Sequence, residues 1–320
     1  MNNKIHLGCY DEEGVLMAQW SELGFKVIAR SQDENFFSHP VNSFNKISWT
    51  EYNEWGVLRS FENTDRVKVT DVKNLGPLRN GNDSFLPYTP ESFIYRLKGD
   101  DPELWIWRGE KAEVFFNPGA SFIFSPVVSP TGGIAFKSRE INYNESSPDK
   151  IWFYQNNEWR VVLEDKDSNP DSKWTSIRTH LAIDEDKLLA IASEGKKESL
   201  LLIQNGNITV LAETGKDLAK FDFFAPKMRN GVIAIRGEDF EGRKVTYVHD
   251  ENGFRRLLTQ GDTVQTDKGI GRVHYQNQDA IFYGAPGIDE KGNIVLQATL
   301  TDADHPRTLL GIGVISFKRE

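Results

Sequence analysis

Four arginines stand at or just after a strand that follows a turn: Arg59 in VLRSF, Arg96 in FIYRL, Arg139 in AFKSRE and Arg236 in AIRGED. A guanidinium grips carboxylate or phosphate through two parallel hydrogen bonds. If the units that carry these arginines are arranged about an axis, the four ring one face and converge on one anionic group or one acidic partner surface. A local chemistry competes with that reading, because Glu62, Glu140 and Glu238 lie close by in sequence and would neutralise them. Trp174, in the polar run EDKDSNPDSKW, is the aromatic best placed for a ligand or partner contact, since aromatic anchors concentrate at interfaces. The remaining tryptophans read as packing, and Trp105 and Trp107 fall on one face of a strand by its period of two.

Other chemistries find no pattern. The six histidines are scattered, without an HExxH or HxH spacing, and supply no zinc site. Asp165, Asp167 and Asp171 invite a calcium reading, but the EF-hand order, with its central glycine and closing glutamate, is missing, so the run reads as a solvated loop. No phosphate-binding or dinucleotide glycine motif and no GxSxG is present. Neither a metal nor a cofactor is implied. Cys9 is the one cysteine, which excludes an internal disulfide; in an apolar strand it reads as a small buried residue.

The elements that must position these groups recur. An apolar strand, a tight polar turn and a second apolar strand appear at Trp105–Phe116, Ile151–Leu163, Leu200–Leu211 and Thr246–Leu258. Three of the hairpins are preceded by another apolar strand, in Ser129–Phe136, Asp184–Ile191 and Lys227–Ile235. Units this small cannot bury both faces of their own sheet and must stack, so the chain reads as all-β and as a β-propeller of four-stranded antiparallel blades. Anchors at Gly14, Gly56, Ser92, Gly133, Lys187, Gly231 and Asn293 are spaced 36 to 62 residues apart and predict seven blades, with six as the alternative. No linker divides the chain, so residues 1–320 are expected to form a single domain.

The net charge of −9 argues against a general nucleic-acid or anionic-membrane surface. No apolar run is long enough to span a bilayer or serve as a signal peptide, and a cytoplasmic location is expected.

The cadence SPVVSPTGGIAF, and again LLTQGDTV leading to APGIDEKGNIVLQAT, resembles bacterial tandem-repeat proteins whose units run as Asn-x-x-Gly-x-x-x-Phe. The resemblance covers residues 122–300 and implies a propeller-like repeat without catalytic residues. Ser129 and Asp289 stand where that pattern favours Asn, and Lys187 replaces its Gly. The architecture is similar, more distantly, to propellers of carbohydrate-active lyases and sialidases, although the sialidase Ser-x-Asp-x-Gly-x-Thr-Trp turn is absent.

Two functions therefore stay open. One is a non-catalytic binding propeller that holds a partner protein on one face, as an inhibitor or immunity-type protein does. The other is an enzyme acting on an acidic saccharide, with the arginines holding carboxylates and Tyr283 or His180 moving a proton.

Overall fold

The structure, a computed structural model, describes residues 5–11, 13–21, 24–30, 36–37, 41–43, 46–52, 57–61, 67–71, 86–89, 92–97, 102–108, 111–129, 131–140, 148–274 and 280–319. Before residue 102 it describes side chains only for 13–14, 16–19, 26–30, 47, 49, 86–89 and 92–96. Gly56 and Glu62, and the side chains of Cys9 and Arg59, lie outside the described residues.

Every element among the described residues is a strand, and the chain divides into two compact units. In the unit Met1–Pro170, the first sheet holds β1 (Ile5–Asp11), β2 (Gly14–Ser21) and β3 (Gly24–Arg30). The second holds β4 (Phe36–Phe37), β5 (Val41–Ser43), β6 (Lys46–Tyr52), β7 (Val57–Phe61) and β8 (Val67–Asp71). The third is β9 (Leu86–Thr89), β10 (Ser92–Leu97), β11 (Glu103–Arg108) and β12 (Lys111–Phe116). The fourth is β13 (Phe122–Ile123), β14 (Val127–Val128), β15 (Ile134–Arg139), β16 (Asp149–Gln155) and β17 (Glu158–Glu164).

The unit Asp171–Glu320 holds three more sheets. The fifth is β18 (Ser176–Ile177), β19 (Ala182–Asp184), β20 (Lys187–Glu194), β21 (Lys197–Gln204) and β22 (Asn207–Glu213). The sixth is β23 (Lys220–Phe221), β24 (Lys227–Arg229), β25 (Val232–Glu238), β26 (Lys244–Asp250) and β27 (Gly253–Thr259). The seventh is β28 (Thr263–Thr266), β29 (Gly269–Val273), β30 (Phe282–Ile288), β31 (Ile294–Asp302) and β32 (Leu309–Phe317). The strands described above pair antiparallel, and the four hairpins expected from the sequence are present as β11–β12, β16–β17, β21–β22 and β26–β27.

Two local devices recur. In sheets two, four, five and six the first strand is split into two pieces that both pair with the following strand. Pro126 and Pro226 occupy two of these breaks, where a residue without an N–H cannot extend the pairing. The second device is a bulge between the third and fourth strands, falling at Leu104/Trp105, Ile151/Trp152, Leu200/Leu201 and Thr246/Tyr247, with a counterpart at Met17/Ala18 in the first sheet. A bulge re-aims the residues beside it. Accordingly Val27, Val114, Val161 and Val210, which follow the bulge in register, are exposed apolar residues.

The core lies between successive sheets. Leu189, Ile191 and Leu200 of the fifth sheet pack on Phe221, Ile235 and Tyr247 of the sixth, whose Val232, Ala234 and Val248 pack in turn on Phe282, Leu296 and Leu300 of the seventh. Each such side chain contributes about 1.5–3 kcal/mol when fully removed from water. In the other unit, Phe116 of the third sheet stacks on Trp159 of the fourth, with ring centroids 4.3 Å apart. Trp105 packs against Phe93, Tyr95 and Trp107, so the two tryptophans do share a face.

Turn chemistry matches backbone demand. Asn205 (φ 51°) with Gly206 (φ 78°), and Asn156 (φ 53°) with Asn157 (φ 64°), supply the paired positive φ angles of two-residue hairpin turns. Ser129 and Asp289 close turns by accepting the backbone N–H four residues on, from Gly133 and Asn293.

Gly237 is where the packing leaves no room. A Cβ there would meet the Lys220 carbonyl oxygen at 2.5 Å and Leu218 Cδ1 at 2.8 Å. Gly237→Ala is expected to cost about 1–3 kcal/mol, the usual cost of overpacking, read as a lower urea midpoint at unchanged slope; an unchanged midpoint would contradict this close approach.

Candidate functional site

Register shows which arginines are equivalent. Arg96 faces Leu104, Lys137 faces Ile151, Ile191 faces Leu200 and Arg236 faces Thr246, each opposite the residue just before the bulge. Arg96 and Arg236 therefore occupy one recurring position, but its occupant in the fourth sheet is Lys137. Arg139 lies two residues further along the same face. Arg59 does not belong to the set, because β7 is the third strand of its sheet rather than the second. The expected ring of four thus reduces to two equivalent arginines, one offset arginine and one arginine on a different strand.

The guanidiniums of Arg96, Arg139 and Arg236 are turned onto the protein itself. Arg96 Nη1 donates to the carbonyl of Ile123 at 2.5 Å, crossing from the third sheet to the fourth. Arg236 Nη1 donates to the carbonyl of Gly284, crossing from the sixth to the seventh, while its Nη2 lies 3.2 Å from the Asp222 carboxylate. Its guanidinium sits 4.4 Å from the Phe224 ring centroid and 5.5 Å from that of Phe282. Burial holds the Arg236 pKa below its ordinary value, against the opposing pull of Asp222.

Arg139 makes a two-point bond to Asp149 within its own sheet, at 2.7 and 2.9 Å. Lys137 Nζ meets the same carboxylate at 2.6 Å, and both cations lie over the Phe124 ring. Burial lowers the Lys137 pKa. The partners are therefore Asp149 and Asp222 rather than the Glu140 and Glu238 that sequence proximity suggested. Those glutamates bind Lys150 and Lys244 instead.

Arg178, which the strand pattern did not single out, completes the set. Its Nε and Nη2 grip Glu198 at 2.7 Å each, and its Nη1 crosses from the fifth sheet to the sixth to reach the Asp222 carbonyl at 2.6 Å. It sits in the break of its sheet's split first strand, and its sequence signal is its place after Ser176–Ile177, matching Asp222 after Lys220–Phe221.

The acidic loop is built in rather than solvated at its first residue. Asp165 is fully buried and caps the chain, accepting from the backbone N–H of Asp149 at 3.0 Å and of Ser168 at 2.9 Å. Burial raises its pKa, with those hydrogen bonds opposing. Among the described residues no group of three or more His, Cys, Asp or Glu is arranged to hold a metal ion. Trp174 is 4 % exposed. Its polar neighbours disguised a core position, and Lys173 covers its ring at 4.4 Å. That burial corrects its reading as an exposed anchor. Tyr283 accepts a hydrogen bond from Thr299 at 3.3 Å. His180 is half-buried with its pKa lowered by burial and then by Arg178.

The exposed feature that emerges from this network is aromatic. Phe223 is 74 % exposed and Phe224 36 %, in the break between β23 and β24. Asp222 fixes them from one side: its carboxylate takes the Phe223 N–H at 2.7 Å, and its own N–H donates to the Arg236 carbonyl at 2.9 Å. The Arg236 guanidinium holds Phe224, and the edge of the His180 ring meets Phe223 at 4.7 Å between centroids. A run of two phenylalanines reads as core from sequence; the split strand turns it outward.

No protein-family model matches the chain, and no curated protein matches it. Solved structures do. TolB from Acinetobacter baumannii superposes with a TM-score of 0.50 at 14 % identity over 80 % of this chain and 63 % of its own. The β-propeller domain of the Trilobed protease from Pyrococcus furiosus gives 0.60 at 13 % identity, covering 80 % of this chain and 78 % of that one. A puromycin-hydrolysing peptidase of Mycobacterium tuberculosis gives 0.60 at 12 % identity over the whole of this chain, which spans 51 % of the peptidase. At these identities the likeness defines the fold: the chain is all-β and propeller-like.

The crossing arginines carry a stability prediction. Arg236→Ala leaves the largely buried Asp222 unpaired and Gly284 without its donor, and is expected to cost about 2–4 kcal/mol. Arg108→Ala, which breaks an exposed pair with Glu113, should cost about 1 kcal/mol or less. Denaturant midpoints of the two variants check this, and an Arg236→Ala midpoint equal to wild type would show that the guanidinium is free for a ligand.

Proposed function

We propose that the seven sheets are blades of one seven-bladed propeller domain, four-stranded where the two pieces of a split first strand count as one. In this reading the chain is a non-catalytic binding module that holds a partner protein on one face, of the inhibitor or immunity type. The observation that carries it is the division of labour among side chains. The guanidiniums of Arg96, Arg139 and Arg236 are spent on carbonyls and carboxylates of the fold, whereas Phe223 and Phe224 are exposed on a segment fixed by Asp222, Arg178 and Arg236. A rigid aromatic pair loses little side-chain freedom on binding and suits an anchor in a protein interface.

Full-length tagged chain, used to capture a partner from its native lysate and then titrated against that partner purified, is expected to form a complex of fixed stoichiometry. If no protein is retained, and acidic oligosaccharides bind with measurable heat in calorimetry, the enzyme reading takes its place.

A further inference from the structure

The seventh sheet differs from its neighbours at its outer edge. In sheets two to six the third strand is covered on its outer side by a fourth, β8, β12, β17, β22 or β27, always antiparallel. In the seventh, β31 takes the second place, pairing β29 and β30 on one side, and β32 takes the third. Among the described residues β32 pairs with β31 alone, and no backbone group of Leu309–Phe317 bonds to another part of the backbone. After a bulge at Leu310 the ladder with β31 runs without interruption from Gly311 to Phe317, so alternate N–H and C=O groups over that length point away from the sheet. Edge strands are ordinarily blunted by charge or proline. The fourth strands KAEVFF, EWRVVLE, NITVLAE and GFRRLLT all carry charge. By contrast β32, LLGIGVISF, has neither charge nor proline, and its Leu309 and Ile312 are exposed. It has the composition of a covered strand in the position of an edge.

We propose that β32 is a strand-addition site: an extended segment of the partner protein pairs antiparallel with Gly311–Phe317 and takes the place of a fourth strand. The fourth strands of sheets three to six define its chemistry. Counted from the turn, each has an apolar residue at the second position, a polar one at the third and apolar ones at the fifth and sixth, as Trp159, Arg160, Val162 and Leu163 do in β17. The sixth is the residue that the sheet buries, as Leu163, Ala212 and Leu258 are buried. A second copy of β32 does not fit this pattern, because counted from Gly311 it offers Gly313 at the third position and Ser316 at the sixth. In strand addition the main-chain bonds supply affinity, and alternate side chains select the segment. This assignment rests on the binding reading above and adds to it a second surface and the chemistry of the segment that fits it.

The test is fluorescence polarisation of the full chain with a labelled peptide Glu-Trp-Arg-Val-Val-Leu-Glu, the sequence of β17, which should bind saturably. Two N-methylated forms decide whether it binds as a strand. One is methylated at Trp, the first Val and Leu, the other at Arg, the second Val and the closing Glu. Only alternate amides of an added strand face its neighbour. One form should therefore lose about tenfold or more in affinity, through its forfeited backbone hydrogen bonds, and the other about threefold or less. Ile312→Lys, which gives the edge a blunting charge, should weaken the unmodified peptide about threefold, the loss of one cross-strand pair. Ile270→Lys, at an exposed position on β29, should change nothing, and matched denaturation midpoints show that both variants fold. Equal losses in the two methylated forms, or no saturation at roughly millimolar peptide, overturn the assignment. Dimerisation of the chain that Ile312→Lys abolishes overturns it as well, by putting a second copy on the edge. A captured partner whose affinity is unmoved by Ile312→Lys would overturn it too and leave the binding reading standing, whereas a chain that captures no protein removes both.

Discussion

A guanidinium that crosses from one sheet to a backbone carbonyl of the next is the contact on which much of this structure depends. Apolar packing between sheets is strong but without direction, so on its own it leaves adjacent sheets free to slide by a residue. Arg96 to Ile123, Arg178 to Asp222 and Arg236 to Gly284 each supply a directional, charge-assisted bond at one place along the strand. At the turn end of the second strands the same task falls to other groups. The Asp184 carboxylate accepts the Asn230 N–H at 2.7 Å, and Asn230 Nδ2 donates to the Glu290 carbonyl at 3.2 Å. The fifth, sixth and seventh sheets are thus tied in sequence at both ends of their shared apolar core.

The crossing bonds need carbonyls that no neighbouring strand has taken. The split of the first strand provides those of Ile123 and Asp222, and the irregular register between Tyr283 and Gly287 in β30 provides that of Gly284. Where β23 stops, Pro226 keeps the chain from pairing again at once, and Asp222 is left with its carbonyl free for Arg178 and its carboxylate for Arg236 and Phe223. One residue thereby receives cations from its own sheet and from the preceding one. The fourth sheet uses a self-contained version, in which Lys137 and Arg139 share Asp149 beneath the Phe124 ring. Removing one cation from such a cluster leaves a buried carboxylate with less compensation, which costs far more than the net contribution of the intact pair.

How much of this could be read from the chain depended on the range of the signal. The hairpins were legible because their turns are local: Asn205–Gly206 and Asn156–Asn157 name their own backbone conformation. The fold class followed from repetition of those hairpins. Position along the strand was not legible, since alternation marks the face of a strand but neither how far along it a residue lies nor which strand of its sheet it is on. That is why Arg139 stood for Lys137, and why Arg59 on a third strand looked like its counterparts on second strands. Burial failed in both directions for one reason. Trp174 sits among polar residues and is covered by the fold, and Phe223 and Phe224 continue an apolar run and are pushed out of it by the strand break.

In the proposed binding reading the same break links architecture to recognition. An anion-binding face requires guanidiniums with accessible spare donors; Arg178 and the two Nη atoms of Arg236 are committed to Glu198, Asp222 and the carbonyls beyond, and Arg236 Nε is buried. Commitment of the charges does not make the surface inert; it makes the residues between them rigid. Phe223 is held by a hydrogen bond at its own backbone and Phe224 by the cation beneath it, so their ordering is completed when the chain folds rather than when a partner arrives. Conformational freedom already lost in folding is not lost again on binding. In the proposed binding reading the arginines would serve recognition indirectly, by fixing an apolar surface instead of presenting a charged one.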